Sequence, residues 1–343
     1  MSRNEIPIHP ENFSKGLVSV VIPCYFLKGK SVNLLSNCIT SVLGSTYKKI
    51  EVIVVDDGSP VDFASMLDSD LLRRVTLISN WENRGYGYAC NEGAKRAGGE
   101  FVCFLNDDMK VKVDAIEILV RLLYGNPQIG IIACKEVEYE STTKVRSAGM
   151  LMDRFMNTYA RRPTDPPVFF YAPGSPSFMK HEVFTAVGGF DDEYYLYAED
   201  VDLSWRVRLR GYRIVYEDSA IVYHLGSATL GRFTARRVYF TQKNSLRTLL
   251  KNSGASMLLK SSVLFHVQSV FLLIFALLQG WNDMVLAVAR SMVENTKDFP
   301  RVWKKRMIVQ YFRRVDDSII ASYMFRGWLL TVGKKLSTYR RRL

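Results

Sequence analysis

Five short apolar runs rich in β-branched residues recur along the first part of the chain: VSVVIPC (18–24), IEVIVVD (50–56), RVTLIS (74–79), FVCFL (101–105) and IGIIACKEV (129–137). Between them lie SVNLLSNCITSVLGS, GYACNEGAKRAG and VDAIEILVRLLYGN, whose apolar residues fall near i, i+3, i+4 and i+7. Period-2 runs alternating with period-3.6 runs predict a βαβ series, hence an α/β protein with a mostly parallel central sheet and helices on both faces. Ligands of such sheets gather beyond the carboxyl ends of the strands.

Those ends carry the chemistry. The first run closes on Pro23-Cys24-Tyr25, the second on Asp56-Asp57-Gly58-Ser59, and the fourth on Asn106-Asp107-Asp108. Like charges at the end of a buried strand need a partner. No G-x-G-x-x-G follows the first strand and no G-x-x-x-x-G-K-[ST] occurs anywhere, so a nucleotide would be held neither by a dinucleotide turn nor by a P-loop. A rim of carboxylates repels a diphosphate unless a divalent cation bridges the two, and oxygen ligands suit Mg²⁺ or Mn²⁺. Asp and Ser also cap turns and helices, which is the competing reading of these acids. Further along, EDVDLSWRVRLRG puts Glu199, Asp200 and Asp202 at the start of a predicted helix, more acid than capping or the helix dipole requires. The run SAIVYHLGS ends on His224, one of only 4 histidines, where metal ligation becomes plausible.

Composition narrows the class. The chain has 343 residues, 48% hydrophobic and 23% charged, which is neither a disordered nor a fibrous composition. Its 5 cysteines form no C-x-x-C pair and sit mostly in apolar runs, as reduced core residues of a cytosolic protein would. MSRNEIPIHPENFSKG has no apolar h-region, so no cleaved signal of the usual kind is expected. The net charge of +12 is uneven: residues 1–230 hold 25 Lys and Arg against 29 Asp and Glu, whereas residues 231–343 hold 21 against 5.

In order and spacing, VSVVIPCY, EVIVVDDGS, NRGYGYACNEG, GGEFVCFLNDDM, GGFDDEYYLYAEDVDLSWRVRLRGYRIVY and VYHLGS resemble glycosyltransferase family 2, and in particular its rhamnosyltransferase-like bacterial branch. The resemblance covers about residues 17–230. It implies a GT-A fold, a nucleoside-diphosphate sugar donor, Mg²⁺ or Mn²⁺, and inversion at the anomeric carbon. Carried over by position, Pro23 and Tyr25 would lie beside the base and Asp57 would accept the imide N–H of uracil or thymine. Arg84 would touch base or diphosphate, Asp107 would face the ribose, and Asp108 and His224 would hold the metal. Asp200 would be the catalytic base, with Glu199 and Asp202 orienting it, the acceptor or the helix. Gly174 and Ser175 fall in the acceptor-side region. The first position of the family's D-x-D is Asn106 here, which leaves one carboxylate fewer near the cation. A helix N-terminus should also lower the pKa of Asp200, which would weaken it as a base.

Three segments are expected: an N-terminal extension (1–16), a catalytic domain (17–230) and a basic helical region (231–343). In the last, the longest uninterrupted apolar stretch is VFLLIFALL (270–278), too short to span a bilayer, so a packed or interfacial helix is expected. Lys304-Lys305-Arg306, Arg313-Arg314, Lys334-Lys335 and Arg340-Arg341-Arg342 are interleaved with aromatics, including Trp303, Tyr311 and Trp328, as on a surface that lies against anionic lipid. No nucleic-acid motif accompanies the charge, and no nucleic-acid partner is expected. These readings point to a sugar transferase at the cytosolic face of a cell membrane, using dTDP-rhamnose or a UDP-sugar and a glycan or polyprenyl-linked acceptor in cell-surface polysaccharide synthesis. The alternative is a membrane-bound scaffold with an inactive transferase fold.

Overall fold

A computed structural model describes residues 13–28, 31–139, 144–161, 165, 169–224 and 234–325. The strands are β1 (Ser14–Cys24), β2 (Ile50–Asp56), β3 (Thr76–Ser79), β4 (Gly99–Phe104), β5 (Met109–Val111), β6 (Ile129–Glu138), β7 (Val145–Ser147), β8 (Met150–Met152), β9 (Thr158–Ala160), β10 (Ser177–Lys180) and β11 (Arg213–His224). The helices are α1 (Asn33–Leu43), α2 (Ser69–Leu72), α3 (Tyr86–Arg96), α4 (Ala115–Gly125), α5 (His181–Ala186), α6 (Glu199–Leu209), α7 (Ala235–Asn252), α8 (Ala255–Leu278), α9 (Asn282–Tyr311) and α10 (Asp317–Ser322).

All five expected strands and all three expected early helices form. The central sheet runs β3-β2-β1-β4-β10-β6-β11-β5, with β7 beside β6. Strands β1 to β4 pair in parallel, as do β6 and β11, while β10 lies antiparallel between β4 and β6 and β5 runs antiparallel to β11. Antiparallel β10 therefore splices two parallel blocks that point the same way. The ends of β1, β2, β4 and β11 consequently share one rim. Buried Val and Ile of β1 and β2 pack on α1 and α4 on one side and on α3 on the other, so both sheet faces are covered. All five cysteines are buried, and none is in a disulfide.

The C-terminal helices share this core. Trp205 and Leu209 of α6 pack with Leu246 and Leu249 of α7, Phe265 of α8 and Ile320 of α10. Polar contacts cross at the same place: Lys251 Nζ lies 2.5 Å from Asp191 and 2.8 Å from Asp202, and Lys305 Nζ lies 2.5 Å from Asp191. Arg247 and Arg301 pair with Glu193. Part of the basic excess of residues 231–343 is thus turned inward onto acids of the preceding segment, while Lys304 and Arg314, of the clusters expected at a surface, stay exposed. Residues 1–12, Trp328, Lys334-Lys335 and Arg340-Arg341-Arg342 lie outside the described residues.

The helix expected from nine apolar residues is α8, which has 24, and an 18-residue window of it has mean hydropathy 2.1 with 22% of its residues buried. His266, Gln268 and Ser269 interrupt the apolar run without breaking the helix, because each finds a partner on it or beside it. His266 Nδ1 pairs with the Ser262 carbonyl, Ser269 Oγ donates to Gln242 Oε1 of α7 at 2.9 Å, and Gln268 exchanges amide hydrogen bonds with Asn157. By length and composition α8 is able to cross a membrane, yet one face is fixed to α7 and to the turn before β9.

Candidate active site

At one end of the rim, antiparallel pairing sets His224 of β11 opposite Met109 of β5, which brings Asp108 beside the imidazole. Asp108 Oδ2 lies 3.3 Å from His224 Nε2, and Glu136 Oε1 lies 2.5 Å from His224 Nδ1. Glu136 sits on β6, two positions from the residue opposite His224, so the two side chains share a face. Arg146 Nε lies 3.3 Å from the same oxygen, Glu136 Oε1. Burial alone would lower the pKa of His224, but its bonds to Asp108 and Glu136 raise it to about 9. Glu136 was missed in the sequence, although a charged residue in the buried strand IGIIACKEVE was a signal that some partner existed.

These residues fit a divalent cation. A carboxylate and an imidazole nitrogen face each other at the rim, and the other imidazole nitrogen is held by a carboxylate, the arrangement that fixes a metal-binding histidine. Among the described residues no group of three or more His, Cys, Asp or Glu side chains assembles for a metal. Such a pair suits a cation that takes its remaining ligands from substrate phosphates.

From this end a hydrogen-bonded path leads to Asp200. The Asn106 N–H donates to Ser175 Oγ at 2.7 Å, the Gly174 N–H donates to Asp200 Oδ2 at 3.3 Å, and the Tyr86 hydroxyl donates to the Gly174 carbonyl at 2.8 Å. A Cβ on Gly174 would stand 3.0 Å from the Tyr86 ring and 3.5 Å from Asp200 Cβ, so the loop approaches the carboxylate closely. The structure therefore joins Gly174, Ser175, Asp200 and the Asn106-Asp107-Asp108 turn.

Asp200 and Glu199 open α6, but neither caps it. The cap position is Ala198, which, like Tyr197, is left-handed at φ 66°. Two consecutive non-glycine residues in that region carry strain that the surroundings must hold. Asn244 of α7 does so, donating to the carbonyls of Leu196 and Tyr197, each at 2.9 Å. Burial raises the pKa of Asp200 to about 6, against the opposing hydrogen bonds from Val201 and Gly174. Burial also raises Glu199, with the charge of Asp200 adding to the effect. The expected lowering by the helix dipole is overturned in direction, because desolvation outweighs it.

Two further expected residues are held by partners within the protein. Asp202 is wholly buried and binds Arg206, Lys251 and Asn252, so it orients α6 and faces no acceptor. The Asp57 carboxylate accepts from the Asn80 amide at 3.0 Å, the Arg84 N–H at 3.1 Å and the Gly85 N–H at 2.7 Å. It ties the end of β2 to the turn before α3, leaving little capacity for a base. Burial raises its pKa despite these bonds. Arg84 stacks over Tyr88 at 3.7 Å. Pro23 and Tyr25 lie where β1 ends beside β2, Cys24 accepting the Asp57 N–H at 2.9 Å.

Behind Glu199 and Asp200 opens a cavity of about 480 Å³ between β8, β9, α7 and α8.

Comparison with known proteins agrees with this architecture. Poly-beta-1,6-N-acetyl-D-glucosamine synthase of Staphylococcus aureus (strain MSSA476) is 25% identical over 244 residues, covering 66% of this chain and 54% of that protein. The chain thus spans about half the length of that relative. Glucosyl-dolichyl phosphate glucuronosyltransferase of Haloferax volcanii is 27% identical over 230 residues, 60% of this chain and 68% of that one. Among solved structures, GalNAc-T7 with UDP, GalNAc and Mn²⁺ superposes with TM-score 0.56 and 18% identity, over 68% of this chain and 48% of that one. Mannosyltransferase PcManGT from Pyrobaculum calidifontis, in complex with GDP-Man and Mn²⁺, gives 0.51 and 18%, over 82% and 87%. These likenesses establish the GT-A fold. Residues 19–188 match the family model for glycosyl transferase family 2, and the chain belongs to that family.

Proposed function

We propose that the chain transfers a sugar, with inversion, from a nucleoside-diphosphate sugar to an acceptor hydroxyl in cell-surface polysaccharide synthesis. The observation that carries this is Asp200, a half-buried carboxylate tied through Gly174 and Ser175 to the turn that bears Asp108, across from His224. The acceptor oxygen attacks the anomeric carbon as Asp200 takes its proton, and the glycosidic bond to the diphosphate breaks on the opposite face. A raised pKa makes Asp200 a stronger base than an exposed aspartate. Asp108 and His224 would hold Mg²⁺ or Mn²⁺, which supplies positive charge against that growing on the leaving diphosphate. Glu136 keeps the His224 ring turned toward Asp108, and Ser175 fixes the Asn106-Asp107-Asp108 turn.

Pro23, Tyr25 and Arg84 would contact the nucleotide, with Asp107 toward the ribose and Asp57 acting mainly through the Arg84 turn. The two neighbours with nucleotides carry different bases, so the fold leaves the donor to experiment. The resemblance of the motifs to the rhamnosyltransferase-like branch supports testing dTDP-rhamnose first, followed by UDP-sugars. The apolar face of α8 supports a peripheral site on the inner membrane surface, with a glycan or lipid-linked acceptor. An inactive scaffold has no need of a half-buried base tied to the turn of a metal pair. Turnover of a nucleotide-sugar panel with Mn²⁺, lost on chelation, is the expected result. Absence of any donor binding or turnover across the panel overturns the reading.

A further inference from the structure

The cavity behind Asp200 changes character along its walls. Tyr197, Glu199, Asp200 and Arg237 line it where α6 begins, whereas Phe155, Met156, Phe265, Phe271, Leu272 and Phe275 line it toward α8. Glu199 is only 9% exposed, yet its Oε2 has no hydrogen-bond partner. A buried polar atom of this kind is costly unless a ligand satisfies it.

At the α8 side the cavity meets an apolar surface. Leu259, Val263, Val267, Phe271, Ile274 and Leu278 recur at spacings of three and four, so they form one stripe along the helix, and all are exposed. Phe271 belongs to both surfaces: it lines the cavity and is 57% exposed. The apolar wall is thus continuous from near the carboxylates to the outside of the molecule. A free glycan would leave that wall against water or against hydroxyls whose hydrogen bonds it cannot return. A molecule with a sugar at one end and a hydrocarbon tail at the other matches both ends.

We propose that the cavity seats an amphipathic, lipid-linked acceptor, its hydroxyl at Asp200 and its tail running past Phe271 onto the exposed stripe of α8. The assignment rests on the transferase reading of Asp200. Glu199 Oε2 then meets the acceptor's polar head, and α8 lies in the surface of the bilayer from which the tail enters. The hydrogen bonds of Gln268 and Ser269 hold α8 at the cavity while its opposite face meets lipid.

The test uses a dodecyl glucoside carrying a diazirine on the tail carbons next to the sugar, photolysed with the full chain below micellar concentration, and adducts mapped by mass spectrometry. Adducts are expected in the peptides containing Met156, Phe271 and Phe275. Thr241→Trp, which fills the cavity from α7, and Phe271→Asp should each lower that labelling at least about 10-fold. Leu259→Asp, on the stripe but not on the cavity wall, should keep it. Nucleotide-sugar turnover is measured on the same preparations. Labelling confined to the outer stripe, or unchanged in both cavity variants, overturns the acceptor assignment even where turnover shows an active transferase. Cavity labelling without any donor turnover overturns the transferase reading and the acceptor assignment with it.

Discussion

Asp200 is a half-buried acid, and the sign of its shift decides two measurements. Its folded pKa of about 6 lies above the ordinary aspartate value of about 3.9, so protonation favours the folded state. That contribution is full below the unfolded pKa and is lost as pH rises through the folded one. Asp200→Asn removes the cost of ionising a partly desolvated group, and its melting temperature at pH 8 should equal or exceed that of the native chain. The same variant should transfer sugar at least about 100-fold more slowly in single turnovers with donor and metal saturating, the usual scale of losing a general base. The native rate should rise with pH through about 6. A near-native rate for Asp200→Asn would move the base to another group. At the metal pair, Glu136→Gln should weaken Mn²⁺ affinity by about 10- to 100-fold, measured by titration with nucleotide present, because it loosens the ring that Asp108 faces. Asp200 and His224 were legible because short motifs carry them. Glu136 was not, because its partner lies on a different strand.

At the scale of elements, the strands that bury both faces announced themselves as apolar runs, and α6 was visible from its acidic start. The register between them was not. Strand β5 has three residues and no periodic signal, yet its pairing with β11 makes the Asp108–His224 contact. Helix α8 was misjudged in length because an apolar count stops at Ser269, whereas the helix needs only a partner for that hydroxyl, which Gln242 supplies. Its stripe also changes the expectation for membranes: attraction through basic residues alone fades as salt shortens the Debye length to about 3 Å at 1 M. Flotation with vesicles should therefore survive 1 M salt in the native chain and be lost in Val263→Glu/Val267→Glu/Ile274→Glu. Complete release of the native chain by salt would assign the binding to charge.

Across the whole molecule, the opposite charges of the two segments were legible as totals, but not as partners. Burial works against an ionised Asp191, and Lys251 and Lys305 nonetheless hold its pKa well below the carboxylate range. Lys251, with its side chain 3% exposed, serves Asp191 and Asp202 together. Replacing it with Met leaves those carboxylates short of a buried cation, and the loss should approach the 3–5 kcal/mol typical of a broken buried pair, read from the urea midpoint at constant slope. Truncation at residue 230 should yield an aggregating chain, since it bares Trp205 and Leu209 of the shared core. A soluble, cooperatively folding fragment would show that the boundary expected at 230 separates independent domains.

The left-handed turn at Tyr197 and Ala198 has a bearing on protein engineering. Its carbonyls are held by Asn244, a residue of the segment that sequence reading set aside as a membrane-binding appendage. A chimera that grafts foreign C-terminal helices onto residues 1–230 would inherit Asp57, Asp108, Asp200 and His224 intact, and would still lack the clamp that aims the helix bearing Asp200. Transplanting specificity within this family therefore has to move α7 together with the catalytic segment, as one unit of exchange.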